Sequence, residues 1–145
     1  MKKAPIGHIH DDADGTRAFA WVSFTPTWTQ GAAVTHTVKY ARYCLVGKVA
    51  FVRVHLVATG AGTAGNGMAI GGIPAVAAIK QTAANVPTVG AFTYLDSGTG
   101  YYVGSVVTST ASAVVMYRDG ASTLFGAAIT AASGDEVSIN LSYEM

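Results

Sequence analysis

Two imidazoles stand one residue apart near the start of the chain, in His8-Ile9-His10. Alternate residues of an extended segment share a side, so both rings can face one point. Three copies about a three-fold axis would bring six ring nitrogens together, enough for octahedral coordination of a transition metal. The alternative is that the two rings only hydrogen-bond within a docked arm. Asp12-Ala13-Asp14-Gly15 follows at once. It echoes half of a calcium loop, without the remaining spaced ligands or the distal Glu. That favours a solvated acidic turn, or carboxylates paired with basic groups on a partner.

Enzymatic patterns are poorly represented. Ser, His and Asp all occur, but no Gly-x-Ser-x-Gly elbow does. The single cysteine, Cys44, needs a neighbouring base such as His55 to become a nucleophile. A small buried hydrophobe is the simpler reading of Cys44. Gly60-Ala-Gly-Thr-Ala-Gly65 fits a dinucleotide fingerprint by spacing, yet no helix pattern opens at its end. A glycosidase-type pair would have to come from Asp96, Asp119, Asp135 and Glu136. Turn glycines beside Asp119 and Asp135 account for those two without catalysis. The expectation is a chain that is not an enzyme and carries no cofactor. Tyr94, Tyr101 and Tyr102 lie in or beside a Gly-rich stretch and are candidates for stacking on a glycan. Packing across strands is their alternative use.

The elements that must position these residues read as short β-strands. Phe19–Phe24 mixes aromatic and β-branched residues, and Pro26 breaks it. Residues 33–40 alternate, with Val34, His36 and Val38 opposite Thr35, Thr37 and Lys39. Lys48 to Thr59 is the longest strand. Ala50, Val52, Val54, Leu56 and Ala58 make one face apolar, and Val49, Phe51, Arg53, His55 and Val57 make the other mixed. Such a strand has a core face and an interface face, which marks Phe51, Arg53 and His55 as subunit-contact residues. Residues 60–67 form a flexible loop, 68–73 a short strand ended by Pro74, and 75–84 at most one or two helical turns. Strands follow at 88–95, 101–108 and 112–118. Asp119-Gly120 signals a hairpin leading into Thr123–Phe125. Glu136–Glu144 alternates cleanly, with Val137, Ile139, Leu141 and Tyr143 on one side. Eight to ten short strands with regular turns indicate an all-β sandwich or barrel.

Charge divides the chain unevenly. It has nine basic and eight acidic residues, and Lys2, Lys3, Asp11, Asp12, Asp14 and Arg17 crowd into the first 17 positions. Half of the residues are apolar and 12% are charged, where about 25% is usual. Surface this poor in charge needs covering, so copies of the chain are expected to bury it. Without a basic stripe beyond the N-terminus, nucleic acid is an unsuited partner. A lone cysteine allows no intrachain disulfide, consistent with folding in a reducing cytoplasm. The first 15 residues lack a signal peptide's apolar region, and no apolar run of membrane-spanning length occurs. Residues 1–17 are expected to be an extended attachment arm, and 18–145 a β-sandwich domain.

The body also carries a resemblance. Its residues are Phe24-Thr-Pro-Thr-Trp-Thr29, the run Tyr40–Leu56, Gly67-Met-Ala-Ile-Gly-Gly-Ile-Pro74, Tyr94-Leu-Asp96, Gly100-Tyr-Tyr-Val-Gly104, Ser133-Gly-Asp-Glu-Val137 and Leu141-Ser-Tyr143. In this order they resemble the β-sandwich domains of bacteriophage minor tail proteins and tail fibres, especially from phages of actinobacteria. Jelly-roll-like domains of capsid decoration and head-fibre proteins are related. The resemblance covers roughly residues 19–145. It implies a jelly-roll-like antiparallel sandwich, commonly trimeric and exposed on the virion exterior after synthesis in the bacterial host cytoplasm. No long shaft or tail-docking domain is expected ahead of the sandwich. This favours a homotrimeric capsid decoration protein held to the major capsid protein through Lys2, Lys3, His8, His10, Asp11, Asp12, Asp14 and Arg17. The alternative is a receptor-binding head joined to tail proteins, with Tyr94, Tyr101 and Tyr102 on a host surface glycan.

Overall fold

A computed structural model describes residues 20–74, 88–110, 112–118 and 123–144. They form one antiparallel sheet of ten strands and no helix. The strands are β1 (Val22–Ser23), β2 (Thr27–Gln30), β3 (Ala32–Ala33), β4 (His36–Val46), β5 (Val49–Ala58), β6 (Met68–Gly71), β7 (Thr88–Asp96), β8 (Gly100–Thr110), β9 (Ala113–Arg118) and β10 (Glu136–Glu144). Their spatial order is β1-β4-β5-β10-β7-β8-β9-β6-β2-β3.

Period-two alternation sets the fold. On β5, Ala50, Val52, Val54, Leu56 and Ala58 are buried, and on β10 so are Val137, Ile139, Leu141 and Tyr143. The two strands pair from Val49↔Glu144 to Val57↔Glu136, so both apolar sets point to the same side. Strand β10 also pairs with β7. The hairpin-linked β7, β8 and β9 with β10 returning beside β7 make a Greek key. A two-residue turn at Gly47-Lys48, with Gly47 at φ 60°, closes the β4–β5 hairpin, as hairpin twist requires. A register shift between Thr108 and Thr110 accompanies the passage from β8 to β9.

The sheet curls until β2 lies over β7. There Trp28 stands edge-on to Tyr94, ring centroids 6.2 Å apart. Phe125 closes the core from the segment after β9, at 4.8 Å from Phe92 and 5.0 Å from Tyr94. The result is an all-β, antiparallel, sandwich-like fold. Buried Gln30 fastens the loops over this core. Its Nε2 donates to the carbonyls of Gly126 at 2.8 Å, Ile129 at 2.6 Å and Asn66 at 3.2 Å. Its Oε1 accepts from Ala131 N at 2.9 Å.

Three sequence expectations change. Of Phe19–Phe24, the described residues 20–24 hold strand only at Val22–Ser23, because pairing to β4 covers just Tyr43 and Arg42. Residues 33–40 are not one alternating strand. Val34 N turns back to Trp28 O, and Thr35 O accepts from Thr59 and Gly60, which separates β3 from β4. A register shift between Val38 and Tyr40 then breaks the alternation again. Thr123–Phe125 makes a single bridge, Tyr117↔Leu124, because Phe125 serves as a core plug. The arm at 1–17, the helical reading of 75–84 and the Asp119-Gly120 turn lie outside the described residues.

Leu141→Ala is expected to cost about 2–5 kcal/mol, as a buried large-to-small change. Ser142→Ala on the opposite face should change the stability of a single copy by about 0.5 kcal/mol or less. Chemical denaturation of the two variants checks the assignment, and equal losses would contradict it. Gln30→Ala strands several buried backbone groups at about 1–3 kcal/mol each, so a loss of at least about 3 kcal/mol is expected in the same assay.

Candidate functional site: an aromatic and arginine face

Directly paired residues of an antiparallel sheet project to the same side. The register therefore defines rows across the outer face of the layer β1-β4-β5-β10-β7-β8. One row runs Tyr40, His55, Ser138, Thr93, Val103. The next toward the β4–β5 turn runs Arg42, Arg53, Asn140, Ala91, Ser105. Beyond it come Cys44, Phe51 and Ser142. On the other side run Thr37, Val57, Glu136, Leu95 and Tyr101.

This face holds large apolar side chains in the open. Trp21, Tyr40, Phe51, Tyr101 and Val103 are exposed, Tyr101 by 73%. Among the described residues, no exposed large hydrophobic lies on β2, β3, β6 or β9. Val22, Val38 and Leu45 are exposed too, but they pair with Tyr43, Leu56 and Ala50 and so register on the opposite side, which leaves the exposed aromatic rings concentrated on the outer face. Concentration of this kind marks an interaction surface, whereas scattered apolar residues mean nothing.

Arg42 and Arg53 are direct cross-strand partners. Like charges placed so repel. Trp21 offsets this, with Arg42 at 5.1 Å and Arg53 at 5.7 Å from its ring centroid. Arg42 also lies 5.6 Å from the ring of Tyr40. Each such contact contributes about 0.5–2 kcal/mol. The one ion pair among the described residues is His55 Nε2 to Glu136 Oε2 at 2.9 Å, so neither arginine meets a carboxylate there. The Tyr40 ring stands against His55 at 5.5 Å. At Arg53 lies a groove of about 330 Å³, lined by Trp21, Phe51, Val52, Arg53, Asn140, Leu141 and Ser142.

The residues singled out in the sequence separate clearly. Phe51, Arg53 and His55 come together on the outer face. Tyr101 is exposed there. Tyr94 is not available to a glycan, which corrects that expectation: it is fully buried, and its hydroxyl donates to Asp135 Oδ2 at 2.7 Å. Tyr102 is half-buried, with its ring against Phe125 at 5.7 Å and Arg118 over it at 5.1 Å. Cys44 is buried opposite Phe51, four residues along β5 from His55. Asp135 is spent on structure, accepting also from Ser97 N and Ala132 N, both at 2.8 Å. His8, His10, Asp119 and the charged arm residues lie outside the described residues. Trp21, Arg42, Asn140 and Ser142 were missed by sequence reasoning. The i, i+2 spacing of Tyr40 and Arg42 hints at a shared face, but only the β4–β5 register joins them to Arg53.

Burial holds two phenols in the neutral form. Tyr94 is shifted upward by burial, then by its bond to the Asp135 carboxylate. Tyr143, whose hydroxyl donates to Pro74 O, is pushed up to about 12 by burial, with a smaller effect of Tyr43. Their unfolded forms ionise near pH 10. Stability from these groups is therefore full below pH 10 and lost as pH rises through the folded values, by up to about 1.4 kcal/mol per pH unit for each. Denaturation between pH 9 and 12 should show this fall, and Tyr94→Phe with Tyr143→Phe should flatten it. No family model, curated protein or solved structure matches this chain.

Proposed function

We propose that this chain is a non-enzymatic bacteriophage virion structural protein, a homotrimeric capsid decoration subunit on the particle exterior. The observation that carries the reading is the exposed aromatic face of the outer layer. Five long strands, β4, β5, β10, β7 and β8, spaced about 4.8 Å apart and some ten residues long at about 3.3 Å each, offer roughly 800 Å². A stable interface needs about 800 Å² from each partner. The face therefore has the extent and the apolar character to be covered by another protein. Low charge over the body suits burial between copies. The rigid Greek-key sheet suits a part whose task is mechanical, adding contact area between capsomers against internal pressure. Residues 1–17, dense in charge, serve in this reading as the attachment to the major capsid protein.

Sedimentation of the full chain at micromolar concentration is expected to give a trimer. Deleting residues 1–17 should leave a folded trimer that no longer joins particles. Immunogold labelling of intact virions should place the protein on heads. Labelling confined to tails would replace the decoration role by a receptor-binding one, and a truncated body that still decorates at full occupancy would remove the arm's role.

A further inference from the structure

Arg42 and Arg53 lie exposed on the outer face as direct cross-strand partners, with Cβ atoms about 5 Å apart, and Trp21 holds both. Among the described residues neither has an ion-pair partner. The β10 carboxylates that register on this face are Glu136 and Glu144, four residues to either side of Asn140, which pairs with Arg53. That is about 13 Å along the strand, and Glu136 is already bonded to His55. Two adjacent positive charges thus stand at the groove with no counter-charge among the described residues. Those residues begin at Ala20, next to Trp21. Ahead of them the chain carries Asp11, Asp12 and Asp14.

We infer that the acidic segment ahead of Trp21 docks on the Arg42–Arg53 pair of its own copy, with Asp11, Asp12 and Asp14 as the counter-charge. The contact lies within one chain and goes beyond the virion reading, on which it does not depend. It reassigns these three carboxylates from the capsid protein to the body and leaves Lys2, Lys3, His8 and His10 for attachment. Charge selects the occupant. From Asp11 to Arg17 the segment has three carboxylates and one guanidinium, so its net negative charge matches the two arginines. A carboxylate between two guanidinium groups forms forked, charge-assisted hydrogen bonds and relieves their repulsion. Asn140 and Ser142 line the groove beside Arg53 and offer further donors to a carboxylate. Reach selects the copy. Six residues, Gly15 to Ala20, separate Asp14 from Trp21. A random chain of that length spans about 13 Å on average. The guanidinium groups lie 5.1 and 5.7 Å from the Trp21 ring, within that reach. A tether this short gives an effective concentration of millimolar order, above that of a free acidic ligand or a second copy at micromolar concentration. The arginines are already held against Trp21, so little side-chain freedom is lost on docking.

Proteolysis of the full-length chain tests this, since Phe19 offers chymotrypsin a cleavage site between the acidic segment and the body. Release of residues 1–19 is followed by mass spectrometry at low salt. Asp11→Asn combined with Asp12→Asn and Asp14→Asn should speed the release roughly fivefold or more, and so should Arg42→Gln with Arg53→Gln. Salt at about 0.5 M should speed release from the wild type and barely change it in these variants. Arg42→Glu with Arg53→Glu should also release quickly, and adding Asp12→Lys and Asp14→Lys should restore most of the protection. The aspartate variants leave the body's own residues unchanged, so a misfolded body does not imitate their effect. Asp12→Cys combined with Asn140→Cys should form a disulfide within one chain, seen at monomer mass on a non-reducing gel with the loss of two free thiols. Aspartate variants that release the segment at the wild-type rate, or a cysteine pair that stays reduced, overturn the contact. A cysteine pair that links two chains overturns its assignment to one copy.

Discussion

The ladder between β5 and β10 is the interaction on which the rest depends. It runs without a break from Val49↔Glu144 to Val57↔Glu136. A slip of one residue would turn Val52, Val54 and Leu56 outward and Phe51, Arg53 and His55 inward, at a cost in buried apolar area and buried charge no part of the fold could offset. That penalty fixes the register. The register in turn aligns β4 on one side and β7 on the other, since each pairs with a member of the ladder. The outer rows of side chains are a consequence. Arg42 sits opposite Arg53, and Phe51 opposite Ser142, because the inner face tolerates one arrangement only.

Buried polar groups hold the connections that the ladder cannot reach. Gln30 bonds to the backbone of the segments before β6 and after β9, and Asp135 bonds to the β7–β8 turn through Ser97. Each is nearly fully buried, so its partners have no water to fall back on. In this way polar residues on β2 and just before β10 set the positions of loops distant in sequence. The Asp135 contact has a bearing on the outer face too. It steadies the turn that carries Asp96 and leads into Tyr101.

How far the sequence could be read differs by element. The strand Glu136–Glu144 matches its expected bounds, and the core face of β5 matches residue by residue, because both alternate without interruption. Residues 33–40 alternate just as well, yet split between β3 and β4. There the backbone of Val34 and Thr35 bonds to Trp28, Thr59 and Gly60, partners that no local pattern reveals. Tyr94 and Tyr101 look alike as strand tyrosines on either side of a Gly-containing turn. One is completely buried on Asp135 and the other is the most exposed large hydrophobic described. Their opposite parity on β7 and β8 separates them, and it becomes meaningful once the pairing of these strands is known.

By itself the sequence determined the class of fold and the two-sided character of its longest strand. Period-two hydrophobicity and turn residues are local properties, and burial of one strand face follows from them directly. It also determined that the body is poor in charge and that Phe51, Arg53 and His55 share a side. Only the tertiary structure decided which residues from other strands join them. Trp21, Arg42, Asn140 and Ser142 reach the same face through pairings between segments up to a hundred residues apart. Cross-strand register is set by the sum of apolar burial over the whole sheet, and no window of sequence contains that sum.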